Sequence, residues 1–313
     1  MLGHFILGDF LMSEKQEKFK AQQPSLTIDE QIANLRSKQL VIEDVDYARV
    51  VLNDISYFRL IKAYSLGLKE KNGNYYEGIR FENIVQLYLF DSNFRQVLFP
   101  QIEKVEINLR CRLSNYFSDK YGVLGYEEES HFAVSTDVFQ AFYTETQNEI
   151  NRNSRKPFIK NFKGNYVDGK VPLYALVEVM SFGTLSKFYK NMNSEDKKNI
   201  ALAYGLRYPY LESWLENLSY VRNICAHYGR LYNAKMTKTP RLYKQHAKEG
   251  IPNNRIFATL TILKYLLPSD RHWRDFIQTL EILTEKYPSV RRHCIGFPQD
   301  WAALLSTREN KDI

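Results

Sequence analysis

The stretch that decides the fold is "FENIVQLYLFDSNFRQVLFPQIEKVEINLRCRLSNYFSDKY", residues Phe81–Tyr121. Its apolar residues recur at steps of three and four, the spacing of one face of an α-helix. They are Ile84, Leu87, Phe94, Leu98, Ile102, Val105, Leu109, Leu113 and Tyr116. The pattern predicts a long amphipathic helix, in which Pro100 should introduce a kink or begin a second segment.

A small charged group interrupts this helix. Glu103, Glu106 and Arg110 fall close together on one face, and Glu106 and Arg110 are four residues apart, as neighbours on a helix surface are. A pair of this kind is typical of a solvated helix face. By itself it does not indicate a functional site.

The composition favours an all-α globular protein. The 313 residues suffice for one large or two modest domains with a core, and 44% apolar with 25% charged residues is typical of a folded chain. Glycine and proline are scarce, and alternation of apolar and polar residues is rare. The segment order predicts a flexible extension over 1–26, a helical region over 27–80, a core over 81–235, and a basic loop with helices over 236–313.

Several further segments have helical patterns. They cover residues 27–40, 44–56, 136–150, 173–189, 195–204, 208–227, 253–267, 271–286 and 296–305. Thr27 and Asp29 are capping candidates for the first. The run 173–189 is apolar nearly all round and predicts a buried helix, so Glu178 inside it needs an arginine partner, and Gly183 should interrupt or end it. Residues 151–172 and 235–250 are basic and loop-like.

Charge and cysteine usage suggest partners and a compartment. The net charge of +7 and the pI near 9.0 suit RNA or DNA as a partner, although a lysine-rich surface gives the same surplus of positive charge.

The apolar N-terminus, residues 1–12, lacks signal-peptide features and is too short to cross a bilayer, so we expect no membrane association. The cysteines are too widely separated for zinc or a disulfide framework, two of them lie in helical apolar contexts, and the simple inference is a reducing cytoplasm. They are Cys111, Cys225 and Cys294.

The stretch "YVRNICAHYGRLYN", residues 220–233, joins core and polar patterns. On a helix starting at Leu211, the apolar arc contains Leu211, Trp214, Leu215, Leu218, Val221, Ile224 and Cys225. Arg222 falls inside this arc, whereas Asn223 and His227 lie on the opposite polar stripe. A guanidinium in an apolar seam is costly unless it is paired. Its partner is expected to be Glu178, Glu103, Glu106 or an RNA phosphate.

The spacing of Arg222 and His227 needs support from the fold. Five residues correspond to about 140° around an ideal helix, so the two side chains do not converge automatically. They could meet if the helix distorts near Gly229, if Arg222 reaches round its edge, or if two such helices share a pocket. Arg230 and Asn233 follow and could complete a polar cup. A match of this type is expected roughly once by chance in such a chain, and Arg241…His246 in a basic loop is taken as the chance one. The histidines His4, His131, His272 and His293 are scattered and suggest no ligand set.

The residue types suit cleavage of RNA without a metal or other cofactor. RNA carries its own nucleophile, the 2′-OH, and cleavage requires a base, an acid for the leaving oxygen and positive charge on the phosphorane. Histidine titrates near neutral pH and therefore suits the proton transfers, and one arginine can donate two hydrogen bonds to two oxygens of a phosphate. One histidine leaves the site short of a proton donor, which favours a composite site built by two chains.

Five motifs in order carry a family resemblance over roughly residues 26–235. They are "SYFRLIKAY", "YLFDSNFRQVL", "IEKVEINLRCRL", "VPLYALVEVMSFGTLSKFY" and "VRNICAHYGRLYN". The chain resembles the HEPN superfamily of helical ribonucleases, whose signature is an arginine, four to six residues and a histidine. More specifically, it resembles the AbiD/AbiF-like abortive infection proteins. Tyr174 stands where relatives often carry tryptophan, which we expect to affect packing only.

The resemblance implies a fold, a function and site residues. It implies an all-α, HEPN-type helical bundle core with extra N- and C-terminal helices, and a toxin-like endoribonuclease in bacterial phage defence. Dimerisation would set two Arg–His pairs face to face on an RNA substrate, and some relatives work with a small non-coding RNA. The implied catalytic residues are Arg222 and His227, with Asn223 in support. Glu106 and Arg110 match the long-helix motif whose polar groups border the cleft. Tyr228, Arg230 and Asn233 are further candidates to support the site or contact RNA.

Two other interpretations remain open. In the first, the fold is a non-catalytic module that binds RNA or protein, and the polar cluster is structural. In the second, the chain is a helical scaffold that does not involve RNA.

Overall fold

The computed structural model describes residues 24–267 and 270–306. Within these ranges the chain contains helices and isolated bridges but no strand, so the predicted all-α class is confirmed. The helices are α1 (Ile28–Ser37), α2 (Val45–Asp54), α3 (Phe81–Tyr121), α4 (Thr136–Arg152), α5 (Pro157–Asn165), α6 (Leu173–Leu176), α7 (Phe182–Asn191), α8 (Ser194–Leu202), α9 (Tyr208–Ala226), α10 (Lys244–Lys248), α11 (Ile256–Leu266), α12 (Asp270–Lys286) and α13 (Trp301–Ser306). Most of the predicted N-terminal extension, residues 1–23, lies outside the described residues.

The chain divides into two compact units, the first ending at Phe81 and the second beginning at Glu82. In the first unit, Thr27 caps α1 in a reciprocal pair with Glu30, which confirms it as the capping residue. A π-helical turn, Phe58–Lys62, follows α2. The functional division predicted from the sequence, with a core over 81–235, stays a prediction.

The long helix α3 runs unbroken through Pro100, so the predicted second segment does not form there. Pro100 is exposed, while Leu98 and Ile102 on either side of it are fully buried. Their burial keeps the helical register and outweighs the backbone hydrogen bond that proline cannot make. The predicted apolar face is buried except at Tyr116, which is half-buried and donates a hydrogen bond to Asp196.

The helix predicted over 173–189 is interrupted, but over residues 177–181 and not at Gly183 as predicted. The chain forms α6, turns, and starts α7 after Ser181, whose hydroxyl accepts the N–H of Thr184 at 3.1 Å. Gly183 therefore lies in the first turn of α7 and does not end a helix. The turns bury Val177 and Val179 on the two sides of an exposed Glu178, so the prediction that this carboxylate is buried is wrong.

Two segments predicted as loops contain helices. Residues 151–172 include α5, which begins with Pro157 at its first position, where proline is tolerated because no N–H is needed. Residues 235–250 include α10, in which His246 is buried between Glu249 and Tyr265, both 2.8 Å from its ring nitrogens.

Other predictions near the C-terminus and at the cysteines have clear outcomes. The terminal pair α11 and α12 and the short α13 are confirmed. Cys225 is buried, Cys294 is half-buried and Cys111 is exposed, so the expected packing as small hydrophobes holds fully for only one cysteine. None of the described helices combines the length and apolar character that a membrane crossing requires.

Candidate functional site

Helix α9 positions the site because one of its faces is part of the core. It packs along α7, α8 and α11. The predicted apolar arc is buried at Leu211, Trp214, Leu215, Leu218, Val221 and Cys225, and Ile224 is half-buried. Arg222 lies within this arc, as predicted, on the side of α9 that faces α3.

Arg222 pairs with Glu106 of α3. Its Nε lies 3.4 Å from Glu106 Oε2, and its guanidinium lies over the ring of Phe99, 5.6 Å from the centroid. Glu103 and Glu178, the other predicted partners, are exposed. The Arg222 side chain keeps 33% of its surface accessible, so it is both held by the protein and open to solvent.

Glu106 faces two guanidiniums at once. Its Oε1 accepts a hydrogen bond from Arg110 Nη2, and the same nitrogen donates to the carbonyl of Met180 at 2.8 Å. Two buried nitrogens, Arg110 Nη1 and Arg222 Nε, have no hydrogen-bond partner among the described residues. We call Glu106, Arg110 and Arg222 the Glu106 cluster; it carries one positive charge more than its carboxylate balances.

A second acid–arginine pair on α3 anchors the chain that follows α9. Asp91 is fully buried and accepts the N–H groups of Leu231 at 3.2 Å and Tyr232 at 2.6 Å. Arg95 donates to Asp91 and, at 3.1 Å, to the carbonyl of Gly229. We call Asp91 and Arg95 the Asp91 cluster. Sequence reasoning missed its role, although the four-residue spacing of opposite charges within "YLFDSNFRQVL" was a usable signal.

His227 ends α9 as its C-cap residue. Its backbone N–H bonds to the carbonyl of Asn223 at 3.0 Å, and both side chains are exposed. The imidazole takes part in no hydrogen bond or ion pair within the described part of the chain. Arg222 therefore lies against α3, whereas His227 is presented at the open end of the same helix.

Tyr228 follows His227 in the left-handed backbone region, with φ of +56°. Gly229 N–H bonds to the carbonyl of Ile224 at 2.7 Å and Tyr228 N–H to that of Cys225 at 3.2 Å, which is a Schellman motif. Gly229 is required there because a Cβ would lie 2.9 Å from Ile224 Cγ2. The Tyr228 side chain is 70% exposed.

The predicted polar cup forms only in part. Arg230 and Asn233 are half-buried, and Asn233 Oδ1 accepts a hydrogen bond from Arg255 Nη1 at 3.3 Å. Asn233 is therefore tied to a residue beyond the predicted core. The structure brings Arg222, Glu106 and Arg110 together; it does not add Asn233 to them.

A cavity of about 430 Å³ lies between α3 and the end of α9. The residues that matter most in its lining are Ser92, Arg95, Gln96, Phe99, Cys225 and Tyr228. Burial raises the pKa of the Cys225 thiol to about 12, so this thiol is protonated and neutral at physiological pH. Phe99 also contacts Arg222, so the cavity adjoins the Glu106 cluster.

The fold and the site together define a helical protein with a cationic, partly open cluster on α3 and α9 and an exposed histidine at the C-terminal end of α9. A sequence model of the Abi-like protein family matches residues 50–233, more than half of the chain. The chain therefore belongs to the Abi-like protein family, as the motifs indicated. This membership suggests a role in abortive infection, a defence against phage. No curated protein matches the chain, and no solved structure matches it.

Proposed function

We propose that the chain is a metal-independent endoribonuclease of the HEPN type that acts as a toxin-like effector in abortive infection. The observation that carries the proposal is the position of Arg222 on α9. This arginine is partly exposed, it pairs with Glu106 of α3, and its own helix ends at the exposed His227. Family membership and the net charge of +7 support a role on RNA. The cytoplasm is the compartment we propose, because the substrate is RNA.

In the proposed reaction the ribose 2′-oxygen bonds to phosphorus and the bond from phosphorus to the 5′-oxygen breaks. A base takes the proton of the 2′-OH, and an acid protonates the leaving 5′-oxygen. Arg222 stabilises the negative charge of the phosphorane, and the buried Arg110 nitrogen that has no hydrogen-bond partner adds positive potential nearby. His227 performs one proton transfer, and Asn223, Tyr228 and Arg230 contact the RNA strand.

The second proton transfer calls for a second histidine. One chain presents one histidine at this helix end, so we propose a homodimer in which His227 of each copy serves a composite site. A small non-coding RNA is a further candidate partner, in addition to the substrate.

The test is RNA cleavage by the purified protein in EDTA. His227→Ala should lower the rate by about 10²- to 10⁴-fold, the usual contribution of a positioned acid or base. His272→Ala is the matched control, because His272 is an exposed histidine on α12. The products should carry 2′,3′-cyclic phosphate and 5′-hydroxyl ends. Cleavage that His227→Ala leaves unchanged would overturn the assigned role.

One observation favours the non-catalytic alternative, in which the fold binds RNA or protein without cleaving it. Arg222 already has an internal partner in Glu106, as a structural ion pair would. This alternative predicts that Arg222→Ala costs several kcal/mol of stability and that cleaved ends never appear. The two proposals therefore differ in both measurements.

A further inference from the structure

We propose that the cavity beside Arg222 binds one unstacked nucleobase of the RNA strand. This inference rests on the proposed function and names the part of the substrate that the site recognises. A base that enters such a cavity must leave its helical stack, so the preferred substrate is a single-stranded segment.

The lining of the cavity matches the surfaces of a nucleobase. Phe99 and Tyr228 supply aromatic rings on which a flat base can stack, and Gln96 and Ser92 supply an amide and a hydroxyl for its edge. The volume of about 430 Å³ lies in the range of small-ligand pockets. Arg95 adds a rigid wall, because its guanidinium is fixed by Asp91 and by the Gly229 carbonyl.

The position of the cavity places a phosphate at the cationic cluster. Phe99 lines the cavity and also lies under the Arg222 guanidinium at 5.6 Å, so the cavity and the cation share a wall. In a nucleotide, the base and the phosphate are attached to the same ribose. A base seated against Phe99 therefore brings its own phosphate to Arg222.

The backbone of Tyr228 gives an independent reason. Its φ of +56° is favourable for glycine and unfavourable for a residue with a Cβ. Glycine is the usual residue at this position of a Schellman motif. The chain nevertheless has a tyrosine here, and its side chain is 70% exposed and lines the cavity. An aromatic ring held at the mouth of a cavity against local backbone preference points to a ligand contact.

The decisive variant is Tyr228→Gly, which removes the ring and also removes the unfavourable positive φ of a residue with a Cβ. Binding is measured in the His227→Ala background, which we expect not to cleave, by fluorescence anisotropy of labelled oligouridylate and oligoadenylate. Affinity for the single strands should fall by about 5- to 150-fold, the value of one base–aromatic stack. Affinity for the same strands annealed into a duplex should not change, and the Tm should not fall.

The matched control is Asp168→Gly. Asp168 is exposed and has φ of +65°, in the segment between α5 and α6. This variant makes the same backbone change away from the cavity, so it should leave RNA affinity unchanged. A Tm that drops in Tyr228→Gly but not in Asp168→Gly would show that the ring is structural and would overturn the proposal.

Other outcomes separate this inference from the nuclease proposal. If Tyr228→Gly loses single-strand affinity and no RNA is ever cleaved, the base site stands and the catalytic proposal fails. If cleavage depends on His227 but Tyr228→Gly binds and cleaves as its parent does, the base site is overturned. A changed oligomeric state with unchanged RNA affinity would assign the cavity to a second copy and would also overturn it.

Discussion

Two acid–arginine pairs lie on α3 with the same four-residue spacing, and they differ in how completely their polar groups are satisfied. Asp91 and Arg95 are 0% and 6% exposed, and both bind backbone groups of residues 229–232. Glu106, Arg110 and Arg222 are 8%, 14% and 33% exposed. In this second cluster two guanidinium nitrogens have no hydrogen bond among the described residues.

This difference in burial and hydrogen bonding indicates which pair stabilises the fold and which one is available to a ligand. A buried ion pair with its donors and acceptors matched fixes neighbouring backbone, and removal of one partner leaves a costly unpaired charge. The Glu106 cluster is partly open at Arg222 and has one positive charge in excess, so it can attract and bind an anion such as phosphate. We therefore assign an architectural role to the Asp91 cluster and a binding role to the Glu106 cluster.

The largest expected effect comes from the same chemical change in both pairs. Asp91→Asn should lower the free energy of unfolding by about 3–5 kcal/mol, because Arg95 is left buried without a counter-charge. Glu106→Gln should cost about 1–3 kcal/mol, because its partners are more exposed. Urea denaturation of both variants measures the difference. Equal losses would break the comparison between the two clusters.

The next effect concerns Arg222. Arg222→Ala should reduce RNA cleavage by about 10²- to 10³-fold, the usual cost of one donor that stabilises an oxyanion. It should lower the free energy of unfolding by only about 1 kcal/mol, because Glu106 keeps Arg110 as its partner. Cleavage kinetics and thermal melts of one preparation measure both quantities.

Arg112→Ala is the control for that experiment. Arg112 is another half-buried arginine of α3, with Nε 2.8 Å from Asn108 and its guanidinium over Tyr204. Its loss should leave cleavage unchanged. A stability loss of several kcal/mol in Arg222→Ala, without any cleavage to lose, would favour the non-catalytic alternative.

The smallest effect extends the comparison to a third network on α3. Burial alone would raise the pKa of Asp196, but hydrogen bonds from Lys120, Tyr116 and Tyr121 outweigh it and leave this pKa below its ordinary value. A carboxyl with a lowered folded-state pKa stabilises the fold above the unfolded-state value of about 4. This contribution is lost as the pH falls through the folded-state pKa.

Asp196→Asn tests this sign. The stability difference between wild type and variant should be largest at neutral pH and should shrink as the pH falls below about 4. Urea unfolding across a pH series gives the difference directly. A gap that stays constant on acidification would show that Asp196 is not the titrating group.

The helices were predictable where apolar spacing is long and regular. The apolar faces of α3 and α9 follow the 3.6-residue period over many turns, so their buried residues could be named in advance. The prediction for residues 173–189 was wrong about where the helix is interrupted. The run is apolar nearly all round, so no helical period in its sequence marks the break. Only the packing of Val179 and Met180 into the core shows that the chain turns there and leaves Glu178 exposed.

The site was predictable only as a set of candidates. Helical phase placed Arg222 in an apolar arc and therefore required a partner, but it could not choose between Glu103, Glu106 and Glu178, because that choice depends on which helix lies beside α9. Asp91 was missed for a related reason. Its acceptors serve backbone N–H groups 140 and 141 residues away, a contact that no local pattern encodes.

The sequence by itself determined the helical class, the family and the two faces of α9, because side-chain periodicity and ordered motifs are local properties of the chain. Only the tertiary structure decided that Arg222 shares a buried carboxylate with Arg110, that Asp91 fixes the chain after α9, and that Tyr228 stands at the mouth of a cavity. These facts depend on long-range packing, which sets the distance between groups that are far apart in the chain and thereby their hydrogen bonds and charges.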